Sequence, residues 1–177
     1  MPQPHEAEKI SSIRLGGRDF PARFIAAGGM ACVFEVTHPT TGARLALKML
    51  SGAGRYEFHK FEAEVRILAA IDHPNLVRVH DFGVDEQSGR YCYTMAFIEG
   101  PTLAKRLDEP TSTRQLVKLF DDVLTGVSVL HRHPKRITHR DIKPANILIQ
   151  RGSGAGRGDE RALVADLGIA RVGEDSG

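Results

Sequence analysis

The stretch His139-Arg140-Asp141-Ile142-Lys143-Pro144-Ala145-Asn146-Ile147-Leu148-Ile149 sets a carboxylate, an ammonium two positions on and a carboxamide three beyond that. They lie in a loop that runs into an apolar strand. A polar set of this composition can handle a phosphoryl group and its metal ion.

Three other places carry groups such chemistry needs. Ile25-Ala26-Ala27-Gly28-Gly29-Met30-Ala31-Cys32-Val33 puts two glycines between strand-like runs, where backbone amides can approach phosphate oxygens without side chains in the way. Lys48 lies in the apolar run Leu45 to Leu50, where an ammonium is costly to bury unless an anion meets it. Asp166-Leu167-Gly168 closes a short apolar strand with a carboxylate. Taken singly, these read as an ordinary β-turn, a surface lysine and a common tripeptide. A dinucleotide-binding turn is excluded because a strand, not a helix, follows the glycines.

The elements that must position these groups follow from periodicity. Residues 1–12 are polar and unpatterned and read as a loose leader, with structure beginning near Ile13. Alternation at Phe20, Ala22, Phe24 and Ala26, the run Ala31 to Val36, and Arg44 to Leu50 predict a three-stranded antiparallel meander. Phe58, Phe61, Val65 and Leu68 recur at helical spacing and predict an amphipathic helix over Arg55 to Ile71. Leu76 to Phe82 and Tyr91 to Ile98 add two strands, five in all, joined by a polar turn. A short helix fits Thr102 to Leu107. A longer one fits Thr113 to Leu130, with Leu116, Phe120, Val123, Leu124, Val127 and Leu130 as its apolar stripe and Thr111, Ser112 or Thr113 as cap. Phe58, Phe61, Leu116 and Phe120 are expected in the core. Ala162 to Ala165 is a last short strand.

Taken in chain order, the glycine turn, strand lysine, H-P-N-L-V, H-R-D-x-K-x-x-N and D-L-G resemble a serine/threonine protein kinase of the bacterial, eukaryotic-like type, from about Phe20 to Arg171. The resemblance implies an α+β, protein-kinase-like fold: an N-lobe over 13–95 with a five-stranded sheet and one long helix, a hinge over 96–100, and the first, mostly helical part of the C-lobe over 101–177. It implies ATP and Mg2+ as cofactors and in-line transfer of the γ-phosphoryl group to a protein Ser/Thr hydroxyl. Asp141 would orient the hydroxyl and accept its proton, Lys143 would neutralise charge on the moving group, and Asn146 and Asp166 would hold magnesium. Ile25, Ala26, Gly28 and Gly29 would line the phosphates. Lys48 would place them, fixed by Glu64, which lies ten residues before Pro74 as the family's ion-pair glutamate does. Val33, Ala46 and Leu148 would sandwich adenine, the backbone at Ala96 and Ile98 would bond its edge, and Met95 would guard the pocket behind. His139, Leu167, Leu68 and Val79 resemble the stack that ties the lobes of an active kinase. Lys143 is similar to the serine/threonine class rather than to tyrosine kinases, and H-R-D differs from the H-G-D of small-molecule kinases. The chain departs from the family's glycine pattern at Ala26 and Ala31, where alanine restricts positive φ and is expected to weaken the phosphate cradle. The run Arg132 to Thr138 and the turn Gly152 to Arg161 are longer than usual.

Composition bounds these readings. The chain has 177 residues, 24 Lys and Arg against 22 Asp and Glu, and 41% apolar content. Near balance argues against nucleic acid as partner. Apolar runs of five residues, such as Ile67 to Ile71, fall far short of the roughly twenty that cross a bilayer, and the start lacks the apolar centre of a signal peptide. Cys32 and Cys92, without a C-x-x-C pair, suit reduced thiols in the cytoplasm. His131 and His133 lack the cysteines that would complete a zinc site. The sequence ends where a kinase would begin its activation segment, with no A-P-E motif. That leaves two expectations: a truncated kinase catalytic domain, or an inactive nucleotide-binding or interaction module, paired with a partner chain or lacking its C-terminal half.

Overall fold

A computed structural model describes residues 7–28, 31–51, 55–152 and 160–166, side chains at 55–58 and 60 excepted. They divide into two compact units, one from the described parts of 7–71 and 78–97, the other from 72–77 and the described parts of 98–166.

Alternating apolar residues build the first unit as an antiparallel sheet. Its strands are β1 (Ser12–Leu15), β2 (Arg18–Ala27), β3 (Ala31–Thr37), β4 (Arg44–Leu50), β5 (Val79–Val84) and β6 (Tyr91–Ala96), in the order β1-β2-β3-β4-β6-β5. The meander and the two later strands are present, and β1 adds a sixth at the edge. The stretch read as leader is structured from Ala7, which is fully buried in the core with Ile10 packed beside it. One face of the sheet supplies that core: Cys32, Phe34, Val36, Leu45, Leu47, Met49 and Cys92. Both thiols are buried, and burial pushes Cys92 up to about 12. The other face is covered by α1 (Arg55–Ala69), where Phe61 stacks on Tyr91 at 5.3 Å between ring centroids and lies 6.5 Å from Tyr93. The helix ends at Ala69, two residues before the expected Ile71.

An acidic latch ties β1 to the other edge of the sheet. Asp85, 3% exposed, accepts hydrogen bonds from the Arg14 backbone N (3.0 Å), Ser88 N (3.0 Å) and Ser88 Oγ (2.5 Å). Glu86 accepts from Gly17 N at 2.7 Å. Gly16 and Gly17, at φ 57° and 72°, form the β1–β2 turn that brings these donors round.

The predicted strand Leu76 to Phe82 begins only at Val79. Leu76 and Val77 belong instead to the second unit, where Val77 N donates to Val164 O and Val164 N to Asn75 O, both at 2.9 Å. That unit holds α2 (Leu103–Arg106), α3 (Thr113–Arg132), a 3-10 turn (Pro144–Asn146) and the antiparallel pair β7 (Ile147–Gln150) and β8 (Arg161–Val164). Ser112 caps α3 through a reciprocal box with Gln115. The face that α3 buries is Leu119, Val123, Gly126 and Leu130, about a quarter turn from the predicted stripe. Gly126 sets this phase, because a Cβ there would stand 2.6 Å from Asn75 O. Phe120, expected in the core, is therefore 57% exposed, Leu124 is 67% exposed, and Leu116 is half-buried. Phe61 is buried as expected, and the Phe58 side chain lies outside the described residues.

Beneath α2 lies a charge pair that the sequence did not reveal. Arg106, fully buried, donates from Nε to both Glu160 oxygens at 2.9 and 3.0 Å and from Nη1 to Thr111 Oγ1 at 2.7 Å. Glu160 also meets Arg151 Nε at 3.6 Å, so it is removal of Glu160 that strands a buried charge, at about 3–5 kcal/mol, whereas replacing both Arg106 and Glu160 by apolar groups recovers much of that. Urea unfolding is expected to show Glu160→Leu destabilised on that scale and Arg106→Leu/Glu160→Leu closer to the parent. Equal losses in both variants would contradict this account.

Candidate active site

In the second unit the 3-10 turn and β7 hold the predicted polar set together. Asn146, 7% exposed, donates from Nδ2 to the Asp141 backbone O at 2.9 Å and to Asp141 Oδ2 at 2.8 Å. Lys143 Nζ donates to the same Oδ2 at 2.8 Å. Both bonds hold the Asp141 carboxylate, and Asn146 has spent its amide hydrogens inward, leaving Oδ1 as its ligand atom.

His139 fastens this loop to the end of β8. It is 2% exposed, its Nε2 donates to Ala165 O at 2.8 Å, and its Nδ1 accepts from Asp141 N at 3.3 Å. Ala165 N in turn donates to Asn146 O at 2.9 Å. Asp166 therefore follows directly on a residue bonded to both His139 and Asn146. Asp166 and Arg140 hold φ of 59° and 62°, left-handed conformations that cost a non-glycine residue about 1–3 kcal/mol. Such strain persists only where surrounding bonds over-determine the backbone, as they do on both sides of His139.

The donors Asn146 Oδ1 and the Asp166 carboxylate are hard oxygens, and they fit magnesium, which takes one or two protein oxygens and completes its shell with water and phosphate. Among the described residues no group of three His, Cys, Asp or Glu side chains is placed to hold a metal.

In the first unit, register aligns another predicted set. Val33 stands opposite Lys48, Lys48 opposite Tyr93, and Ala46 opposite Met95. Directly opposed residues share a face, so Val33, Ala46, Lys48 and Met95 lie together on the side that α1 covers. Glu64 is an exposed residue of α1, one turn on from Phe61, which touches Tyr93, the cross-strand partner of Lys48. Ile25, 45% exposed, and Ala26 lie in β2, and Ala26 opposes Val33. Gly28 N donates to Ala31 O at 2.8 Å, closing the turn. Ala26 and Ala31 sit in strands and not at positive φ, so alanine introduces no strain there. Ala96 ends β6 and Ile98 follows it, half-buried. Leu148, in β7 of the second unit, pairs with Leu163 and bridges Thr102. Of the expected stack, Leu68 and Val79 are buried in the first unit and His139 in the second. Gly29, Leu167 and Gly168 lie outside the described residues. The Ala165 backbone had no signal in the sequence, because its N–H and C=O are groups every such residue carries.

Burial holds the His139 imidazole below its usual range, although the Ala165 carbonyl and the carboxylates of Asp141 and Asp166 pull it upward. A depressed histidine favours folding fully above its unfolded value of about 6.5, and that contribution is lost as pH falls below it. Urea midpoints are expected to drop from pH 7.5 to 5.5, with a shallower drop in His139→Asn. Parallel pH profiles for the two would refute the assignment.

Comparisons with known proteins agree with this geometry. Residues 22–177 match the model of the protein kinase domain. The serine/threonine-protein kinase PknJ of Mycobacterium tuberculosis is 36% identical over 159 residues, covering 88% of this chain and 26% of PknJ. Pkn2 of Myxococcus xanthus is 35% identical over 169 residues, 92% of this chain and 19% of its own length. The chain thus spans about a quarter or less of these relatives. The crystal structure of the M. tuberculosis PknI kinase domain superposes with a TM-score of 0.71 at 26% identity, over 90% of this chain and 63% of that one. Rad53, solved in complex with AMP-PNP, gives 0.70 at 25% identity, over 85% of this chain and 38% of that one.

Proposed function

This chain belongs to the protein kinase domain family, and on that premise we propose that it carries the nucleotide-binding face and catalytic loop of a serine/threonine protein kinase. The observation that carries the reading is the Asp141 carboxylate held by Lys143 and Asn146 at 2.8 Å each, one backbone link from Asp166.

Each residue's role follows from its chemistry. The Asp141 carboxylate meets a Ser or Thr hydroxyl, orienting it and taking its proton as attack proceeds. Lys143 supplies positive charge where the moving phosphoryl develops negative charge. Lys48, with Glu64, sets the ATP phosphates, which also approach the backbone at Ile25, Ala26, Gly28 and Gly29. Val33, Ala46 and Leu148 offer apolar faces to adenine, Ala96 and Ile98 offer backbone groups to its edge, and Met95 limits the space behind. Asn146 and Asp166 would hold Mg2+, which when bound neutralises phosphate charge. The protein's contribution is position and charge rather than covalent chemistry. Among the described residues no helix is long and apolar enough to cross a membrane, and we place the domain in the cytoplasm, where ATP and protein hydroxyls meet.

A second reading, an interaction or nucleotide-binding module without transfer activity, draws on α3. Val117, Phe120 and Leu124 are 63%, 57% and 67% exposed along one line of that helix, a face that suits a cover from another chain or a further segment of the same one.

Mg-ATP is expected to raise the melting temperature of the chain, with the rise lost in Lys48→Met and kept in Asp141→Asn. Transfer from labelled ATP to protein is expected to fall by about 10²–10⁴ in Asp141→Asn, the share a positioned base supplies. Transfer that survives Asp141→Asn would sink the catalytic assignment. A chain that shifts with Mg-ATP yet transfers nothing selects the second reading.

A further inference from the structure

The run between α3 and the catalytic loop has no part in the chemistry above, yet it is built with care. His133 Nδ1 accepts from Lys135 N at 3.2 Å, Arg136 N donates to His133 O at 2.7 Å, and Ile137 N donates to Leu130 O at 3.1 Å. Arg136 is held at φ 46°, a left-handed turn position taken by a bulky residue where glycine would be easier. The turn presents Arg132, Lys135 and Arg136, all exposed. From His131 to Arg140 there is no Asp or Glu.

These three cations form no ion pair among the described residues, whereas many other exposed ones do: Arg66 with Glu62, Lys118 with Asp122, Lys143 with Asp141, Arg151 with Glu109. Nowhere else in the described chain do three unpaired Lys or Arg fall within five positions. The α3 dipole accounts for Arg132 in the last turn, but its influence fades within that turn and leaves Lys135 and Arg136 without a purpose.

The number of charges selects the partner. Duplex nucleic acid engages about 6–10 phosphate contacts and anionic membranes about 4–8 Lys or Arg, more than this turn offers. One phosphoester side chain carries about −1.5 to −2 charges and three acceptor oxygens, which two Arg and one Lys match. We propose that Arg132, Lys135 and Arg136 dock a phosphoserine or phosphothreonine on a protein segment, so that proteins already phosphorylated are held on this domain. The inference rests on the kinase reading for its partner, since transfer to Ser and Thr generates that chemistry, and it is read out by binding alone.

The test is fluorescence anisotropy of the whole chain with a degenerate peptide pool fixed at phosphothreonine, against pools fixed at threonine and glutamate. The phosphothreonine pool is expected to bind at least about tenfold tighter than either, the worth of one charge-assisted hydrogen bond. R132Q/K135Q/R136Q should erase that difference with an unchanged melting temperature, and R132Q and K135Q should each remove part of it. Equal binding of the three pools, or discrimination that survives the triple variant, overturns the proposal. Tighter binding to phosphatidylserine vesicles or duplex DNA, lost in the triple variant, overturns the choice of partner, and inorganic phosphate binding as tightly as the pool overturns the need for a protein segment. Mg-ATP stabilisation is measured on the same samples. If it is intact while the pools do not differ, only this inference fails.

Discussion

The backbone of Ala165 is the point on which the second unit's polar chemistry depends. Its carbonyl takes the His139 ring and its N–H reaches Asn146 O, so one peptide position of β8's end fixes both ends of the loop that carries Asp141. The bonds are strong because they are dry: with His139 and Ala165 both buried, water offers no competing partner. Left-handed backbone at Arg140 and Asp166 is the strain this arrangement carries, and the same bonds hold it in place.

The two units solve the problem of buried polarity differently. In the first, the buried carboxylate of Asp85 has no ion pair among the described residues and receives backbone and hydroxyl donors, an arrangement insensitive to salt. In the second, Arg106 meets Glu160 as a buried pair, with Arg151 as a further cation 3.6 Å from the same carboxylate, so the Arg106 charge depends on Glu160. Both devices connect segments far apart in sequence. They trade local independence for a backbone that stays where the site needs it.

How much of this could be read in the sequence depended on the range of the force involved. Asp141, Lys143 and Asn146 were legible because their meeting is arranged within six residues. Val33, Ala46, Lys48 and Met95 were legible as strand residues from the apolar runs that hold them, and the pairing of strands then put them on one face. The phase of α3 was not legible. Periodicity alone favoured Phe120 and Leu124, and the decisive term was the close approach of Gly126 to Asn75 O, about fifty residues earlier in the chain. The start of β5 shifted for a similar reason, since Asn75 O and Val77 N bond to Val164 of β8, which is not yet in view when that stretch is read. Arg106 and Glu160 lie 54 positions apart, and nothing local marks either as buried. Side chains that answer to neighbours in sequence announce themselves, and those that answer to neighbours in space do not.

The tie between Arg14 and Asp85 spans 71 positions, a long reach among the contacts that close the first unit. A chain made from its N-terminus must hold β1 and the Gly16–Gly17 hairpin in waiting until the β5–β6 turn has been synthesised. Loop closure over such a distance is slow compared with forming either hairpin alone. The strand that is made first is therefore among the last to be secured, and during that interval the apolar side chains of Ile13 and Leu15 are what a chaperone would meet.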